Sequence, residues 1–496
     1  VITWGISDTF GGMTGAFLHR SRAFVRLGGV NVDVLTFDAR PDYPDVERRL
    51  RSSGKLIDGM RLVNLWDWLR EHPAPEKLAR AGASVSPKFF ASFNPLDTVA
   101  ESLYAGVRDG VRMSLTRYAE DGVTELQVDH YRTDGSLVAS DRRDTRQRGQ
   151  LGGRSIVLCD RNGQPVKAWD GAWALYRWWL DRMRDKQPAT MIIDSKTSAR
   201  FMVGYTRKNL LVLHVIHASH LQGADGTTVR ASRAAVFEDP SSFDSLVFLT
   251  ERQRSEALRL LPEGASTAVI PNGRAVPRAR TVPAPRDVHA GIMLSALEKR
   301  KRVDHAVRAV AAARTAGAPV TLDIFGNGPE RPRVETALAK ADGGITLRGY
   351  DPDASSHLSE SSFLLLSSRS EGFPLVLVEA MAAGCLPISY DINYGPADII
   401  RDGVNGFLVP PGDVKALAAA IERLATLPAA QVEKMRRNAI RTAAAFSDEA
   451  ITKRWARELD RVAKRRGFLP AAPVDALAFR LRRGIARRWR NLRGSR

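Results

Sequence analysis

Apolar and polar positions along the chain keep two rhythms, and the rhythm changes at definite places. Val1–Ile6 is apolar and β-prone, and the glycine-bearing stretch SDTFGGMTG (Ser7–Gly15) reads as a loop. Ala16–Leu27 has a helical period, and VNVDVLTFD after it alternates like a strand. Strand, loop, helix, strand is a βαβ opening, which predicts an α/β architecture around a parallel sheet. From about Leu96 to Trp169 short β-prone runs are separated by Asp121–Gly122, Asp134–Gly135 and Asn162–Gly163. Such pairs are hairpin turn signals, so this region reads as an antiparallel β-meander inserted into the α/β domain. WALYRWWLDRM follows as a helix whose aromatic residues suit core packing, with an interface or a sugar platform as the alternatives.

The α/β rhythm resumes at TMIIDS (Thr190–Ser195) and continues through Asn209–Leu221, Asp244–Leu258 and Ala268–Gly273. RAVPRARTVPAPRDV is rich in proline and arginine and has no apolar period, so it reads as an interdomain linker. A second α/β unit starts near Ala290 and ends in helices from Val414 onward. The expected division is 1–95 with 185–275 as an N-terminal Rossmann-like domain and 96–184 as the inserted meander. A C-terminal Rossmann-like domain follows over 286–430, then helices over 431–470 that return to the N-terminal domain, then a tail over 471–496. Two such domains place strand ends on either side of a cleft, where open α/β sheets take ligands.

Bulk composition narrows the class. The 496 residues suit two to four domains at roughly 150 residues each. A composition 44% hydrophobic and 26% charged is that of a globular protein rather than a disordered one. No apolar run approaches the roughly 18–20 residues that span a bilayer. The opening run does not look like a leader peptide, so a cytoplasmic protein is the default expectation. Cys159 and Cys385 each lie beside apolar residues, which suits buried free thiols better than a disulfide, and metal-type cysteine spacing is absent.

The net charge is +19. A genome-wide arginine bias would give this, and so would an anionic partner: nucleic acid, a membrane surface or a phosphate-rich substrate. Residues 471–496 hold eight arginines and one aspartate, which is +7 and leaves a diffuse +12 on the rest. In that tail Leu477, Leu481, Ile485, Trp489 and Leu492 recur at helical spacing among arginines. The stretch 476–493 therefore reads as a basic amphipathic helix, lying on a membrane surface or packed on the protein body. The aromatic–basic interleaving of a nucleic-acid module is absent, so nucleic acid is not an expected partner.

Four loops after strands carry candidate chemistry. In FGNGPE, Gly326 and Gly328 flank Asn327; they would let a backbone approach a ligand, or they would only shape the turn. SSRSEGFPLVLVEAM places Glu371 just before a helix and Glu379 about one and a half turns inside it, with Pro374 at the expected N1 position. The free N–H groups of that first turn would form an anion site. Both carboxylates would accept hydroxyl hydrogen bonds; the bland reading is a capping glutamate and a solvated one. LEKRKRVDHAV opens a helix with four cations that would face a phosphate or solvent. HVIHASHL holds His214, His217 and His220, with only Asp194 as a further ligand in prospect, so a histidine donating to a sugar hydroxyl is expected before a metal site.

Together these motifs resemble the retaining, nucleotide-sugar glycosyltransferases of the GT-B fold, family 4. The most specific is E-x7-E at Glu371–Glu379, supported by VIPNG, the Lys301–Asp304 helix start, GNGP and GPADIIRDGVNGFLV. The meander and the GGMT loop resemble the subgroup of wall teichoic acid (poly(glycerol-phosphate)) α-glucosyltransferases and adhesin glycosyltransferases, whose β insert builds oligomers, often trimers. The resemblance implies a UDP-sugar donor, UDP-glucose or UDP-N-acetylglucosamine. It implies an anionic polyol-phosphate acceptor, no metal, and peripheral attachment to the inner face of the membrane. It also implies roles. Glu379 would hold the ribose hydroxyls and Glu371 the sugar, with Gly372, Phe373, Pro374 and Leu375 lining it. Lys301 would pair with the diphosphate, and Gly12 would lie beside the phosphates. Gly326 and Asn327 would line the donor, and His217 would contact the sugar, with His220 the alternative assignment.

The sequence departs from that pattern at one position. The family has arginine five residues before the lysine, and here Ala296 stands there. Losing one preorganised donor at a developing charge typically costs about 3–4 kcal/mol of transition-state stabilisation. Three readings follow: Lys299 or Arg300 substitutes, the chain is a weakly active or inactive partner subunit, or Ala296 is a change made to trap a complex.

Overall fold

The computed structural model describes residues 1–8, 10–73, 93–96, 103–222, 227–276 and 287–467. Its contacts divide the chain into two units, Val1–Phe10 with Asn31–Leu211, and Gly11–Val30 with Val212–Arg496. The tail over 471–496 and most of the proline–arginine linker lie outside the described residues.

The helix α1 (Gly12–Ala23) runs on through a π-helical turn at Phe24–Gly28. It starts four residues before the apolar period does, so the opening glycine loop is shorter than the sequence suggests.

In the first unit, β1 (Val32–Thr36), α2 (Tyr43–Ser52), β2 (Met60–Asn64) and α3 (Leu65–Glu71) follow one another, with β1 and β2 parallel. Val1–Ile6 is not the strand its pattern predicts: Ile2 alone bridges Leu35 and Ile193. The meander is a six-stranded antiparallel sheet in sequence order. Its strands are β3 (Leu103–Arg108), β4 (Val111–Tyr118), β5 (Glu125–Tyr131), β6 (Leu137–Arg142), β7 (Ser155–Cys159) and β8 (Pro165–Trp169). Three of its five turns fall at the Asp121–Gly122, Asp134–Gly135 and Asn162–Gly163 pairs, a fourth at Asp109–Gly110, and the longer 143–154 connection joins β6 to β7. Carboxylates shape the first three: Asp121 accepts from the Val123 N–H at 2.9 Å, Asp134 from Ser136 at 2.9 Å, and Asp160 from Asn162 at 2.8 Å. The aromatic segment becomes α4 (Ala172–Arg184), followed by β9 (Ala189–Ile193) and α5 (Lys196–Met202). Core packing decides the role of this helix, for Trp179 is fully buried and meets the Phe37 ring edge-on at 5.2 Å.

In the second unit, β10 (Leu210–Ile216) leads to the short pair β11 (Leu221–Gln222) and β12 (Thr228–Val229), then α6 (Ala231–Glu238), β13 (Ser245–Phe248), α7 (Glu251–Leu258) and β14 (Thr267–Val269). β10, β13 and β14 pair in parallel. The later strands β15 (Ala290–Leu294), β16 (Thr321–Phe325), β17 (Ile345–Gly349), β18 (Phe363–Leu366), β19 (Leu386–Tyr390) and β20 (Phe407–Val409) form one parallel sheet. The helices along this stretch are α8 (Val303–Thr315), α9 (Arg331–Leu338), α10 (Leu375–Ala382), α11 (Pro396–Ile399) and α12 (Val414–Thr426), and α13 (Ala429–Ala444) and α14 (Asp448–Arg465) close it. The sheet order is β17-β16-β15-β18-β19-β20. That is the doubly wound order, and it reverses between β15 and β18. All four residues of β18 are buried, as a strand covered on both faces requires.

Both cysteines are free and buried; burial pushes the Cys159 thiol up to about 12. Among the described residues no helix is long and apolar enough to cross a membrane. The last helix is seated on the first: Trp455 of α14 is 2% exposed, meets Phe24 edge-on at 5.9 Å and lies under the Arg20 guanidinium. Trp455→Ala is expected to lower unfolding free energy by about 3–5 kcal/mol, read by urea denaturation. A change below about 1 kcal/mol would show that this contact does not hold α14.

Candidate active site

Ligands of open α/β sheets lie outside the C-terminal strand ends where the strand order reverses. Here the two loops at that point are 295–302, after β15, and 367–374, after β18. Neither is free-standing. The Ser367 hydroxyl donates to the Lys301 and Arg302 carbonyls at 3.0 and 2.8 Å. The Arg369 N–H donates to the Arg300 carbonyl at 2.7 Å, and the Arg300 guanidinium returns a bond to the Ser370 carbonyl at 2.8 Å.

Glu371 is the electrostatic centre of this seam. Its Oε1 accepts from Lys301 Nζ at 2.6 Å and from the Ser368 hydroxyl at 2.7 Å, with Arg300 Nη1 at 3.0 Å. The side chain is 11% exposed. Burial alone would raise its pKa; Lys301 and then Arg300 outweigh burial and hold the carboxyl below the usual range. Among the described residues no donor reaches Oε2, so one oxygen of a buried carboxylate stays available.

The backbone around Glu371 is pinned from a third side. Its N–H donates to the Asn393 carbonyl at 3.1 Å and its carbonyl accepts from the Tyr394 N–H at 2.8 Å. Tyr394 is fully buried, its hydroxyl bonds to Glu256 of α7 at 2.5 Å, and its ring stacks on that of His220 at 6.1 Å. Gly372 admits no side chain, because a Cβ there would stand 1.7 Å from the His217 carbonyl oxygen. That approach brings the loop after β10 against the loop after β18.

Several expectations change in detail. Pro374 is the N-cap of α10 rather than its first residue, and the Leu377 N–H already bonds the Pro374 carbonyl at 3.0 Å. The anion-facing N–H groups are therefore fewer than a full first turn. Phe373, Pro374 and Leu375 are buried, and the Phe373 ring packs on Phe446 at 5.5 Å. The strand before them ends at Leu366. Lys301 lies in a 3₁₀ turn, Lys299–Lys301, and not in the helix proper, which starts at Val303. Asp304 accepts from Arg308 at 2.8 Å and Arg333 at 3.1 Å, so its role is within the fold.

The glycines of FGNGPE answer to the chain itself. Gly326 has φ +148°, and a Cβ on it would lie 1.8 Å from the Ser295 carbonyl oxygen. The Leu297 N–H donates to the Asn327 carbonyl at 2.9 Å. This loop is thus laced to the one carrying Ala296, while Ala296 and Asn327 are exposed. Lys299 is exposed too, whereas Arg300, its neighbour, reaches the Glu371 carboxylate.

Of the histidines, His220 is sealed. It is fully buried, stacked 5.3 Å from the Phe237 ring, and neither ring nitrogen meets a partner among the described residues. Burial and the nearby Arg233 push its pKa down to about 4. His217 is half-buried. Gly12 opens α1 in an exposed position with open space at its Cβ. Among the described residues no group of three or more His, Cys, Asp or Glu is placed to hold a metal ion.

One residue of the site escaped the sequence reading. Arg274 Nε donates to Glu379 Oε1, across 105 residues. Its only sequence signal was its place directly after VIPNG.

The lowered Glu371 titration has a pH signature. A carboxyl whose folded pKa lies below its unfolded value adds stability at neutral pH, and that stability is lost as pH falls through the folded value. Thermal unfolding across a pH series should show the wild-type chain weakening more steeply below the ordinary carboxylate range than Glu371→Gln. Equal slopes would remove Glu371 as the group responsible.

The family described as glycosyl transferases group 1 matches residues 284–444, the stretch that holds both loops. An exopolysaccharide phosphotransferase of Streptomyces coelicolor is 34% identical over 283 residues, 55% of this chain but 28% of that protein. The poly(ribitol-phosphate) α-N-acetylglucosaminyltransferase of Staphylococcus aureus is 22% identical over 90% of this chain and 96% of its own length. A crystal structure of a mutant TarM of S. aureus, in complex with fondaparinux, α-GlcNAc-glycerol and UDP, covers 92% of this chain and 99% of that one, at 18% identity and a TM-score of 0.67. Residues 284–444 are a glycosyl transferases group 1 domain, and the chain has the GT-B fold.

Proposed function

We propose that the chain moves a hexose, glucose or N-acetylglucosamine, from a UDP-sugar to an anionic polyol-phosphate acceptor of the teichoic type, with retention at the anomeric carbon. The observation that carries this reading is the meeting of Lys301 and Arg300 on one oxygen of Glu371, at the point where the strand order reverses. The relatives supply the substrate classes: a poly(ribitol-phosphate) sugar transferase, and a structure holding UDP and a glycosylated glycerol.

In this reading Glu371 offers its unoccupied oxygen to a sugar hydroxyl, and Glu379 takes the ribose hydroxyls. The backbone of Gly372 with Phe373, Pro374 and Leu375 forms the wall behind the sugar. His217 meets the sugar from the β10 side, because His220 is sealed in the fold. Gly326, Asn327 and Gly12 lie along the donor. Lys301 binds the diphosphate, and Arg300 provides the cation that Ala296 lacks. As the C1–O bond to the diphosphate breaks, both cations stabilise the charge that builds on the leaving oxygen. The acceptor oxygen bonds to C1 from the same face, and its proton passes to the departing phosphate. Side chains and helix N–H groups carry the leaving-group charge, and no metal has a role. The diffuse positive charge draws a polyanionic acceptor and is screened by salt. The meander joins copies into an oligomer, and the chain works in the cytoplasm at the membrane face.

The competing reading, an inactive partner subunit, rests on Ala296. It and the reading above separate on one variant series. Arg300→Ala should lower kcat by roughly 10²–10³-fold, and adding Ala296→Arg to it should restore much of the loss. A variant as active as wild type would remove Arg300 from the reaction, and a wild-type chain that releases no UDP from either donor would favour the partner subunit. Product mass spectrometry with a polyol-phosphate acceptor, at low and high salt, tests the acceptor: salt-insensitive transfer to a neutral glycan would overturn it. Activity abolished by chelation and restored by a divalent cation would overturn the metal-free assignment.

A further inference from the structure

Arg274 is held more firmly than a surface arginine needs to be. Its N–H donates to the Phe446 carbonyl at 3.0 Å, and its own carbonyl accepts from the Asp448 N–H at 3.1 Å. This is a parallel bridge between Arg274 and Ser447, at the start of α14. Gly273, just before it, is pressed against the same helix: a Cβ there would stand 3.3 Å from both Asp448 and Ile451. The backbone is thus fixed on α14 while the side chain reaches across to Glu379 on α10. The two side chains are 24% and 28% exposed, at the edge of the site rather than in open solvent.

A glutamate on a helix samples several rotamers, and confining such a side chain costs up to roughly 2 kcal/mol. A guanidinium whose own backbone is fixed removes that freedom before any ligand arrives, because its planar donors dictate where the carboxylate oxygen must lie. We propose that Arg274 is a positioning residue for nucleotide recognition. It occupies one oxygen of Glu379 and so aims the other at the ribose hydroxyls of the donor. The assignment rests on the reading above that Glu379 takes the ribose. It goes further in making hydroxyl selectivity depend on a residue outside the carboxylate pair. A site that hydrogen-bonds a hydroxyl discriminates against ligands lacking it only while its polar group is held in place.

The test is calorimetric binding of UDP, 2′-deoxy-UDP and 3′-deoxy-UDP to the full chain and to Arg274→Ala, Arg274→Gln and Arg274→Lys. Wild type should prefer UDP over the weaker deoxy analogue by roughly tenfold or more, the worth of a hydrogen bond to a charged group. In the Ala and Gln variants that preference should shrink to about threefold or less, chiefly through weaker UDP binding. Lysine, which keeps the charge without the fork, should recover part of it. A role confined to seating α14 would lower stability and leave the ratio alone. A preference that survives in both the Ala and Gln variants overturns the assignment while leaving the ribose reading intact. A wild-type chain that binds all three nucleotides equally overturns both.

Discussion

A single carboxylate oxygen organises the candidate site. Oε1 of Glu371 draws Lys301 and Arg300 out of the loop after β15 and binds them to the loop after β18. Taking such charges out of water costs several kcal/mol each unless they are paired and hydrogen-bonded. Once the pairing exists, moving Lys301 and Arg300 away would leave the buried Glu371 carboxylate uncompensated. The serine and backbone bonds of the seam then hold a geometry that electrostatics has already selected. The same arrangement explains why the centre is cationic on one side and open on the other.

Close backbone contact is the second organising constraint. Gly372 against the His217 carbonyl, and Gly326 against the Ser295 carbonyl, are approaches that any side chain would prevent. Together with Tyr394 and its bond to Glu256, they fix loops from several strands relative to one another. The parallel sheet beneath supplies the rigidity, and the loops inherit it.

Much of this was legible from periodicity and turn chemistry. Alternation and the Asp-Gly pairs located the meander, because carboxylate-capped turns are local structures that short sequence windows contain. The E-x7-E spacing is equally local, and it singles out Glu371 and Glu379 as candidates. Other features depend on distant partners. Gly12 opens α1 although glycine is a poor helix residue, so the apolar period alone points to a start at Ala16. Pro374 became a cap once Leu377 turned its N–H inward. Val1–Ile6 has the composition of a strand, yet its ladder to Leu35 and Ile193 is regular only at Ile2, although Val1, Thr3 and Trp4 also bond the backbone at and beside β1. The choice between Lys299 and Arg300 could not be made by spacing, since a 3₁₀ turn decides which of the two meets Glu371. Arg274 was invisible because its partner lies 105 positions away and the bond exists only in the folded chain.

The two buried thiols have a practical side. Maleimide and related reagents attack thiolates that solvent can reach. Cys159 and Cys385 are both fully buried, and the Cys159 thiol is pushed up to about 12. They are the only cysteines in the sequence. The chain is therefore already a quiet background for site-specific labels. Cysteines introduced at exposed positions in each of its two units would take a fluorophore pair without prior removal of native ones, and the separation of those units becomes directly measurable.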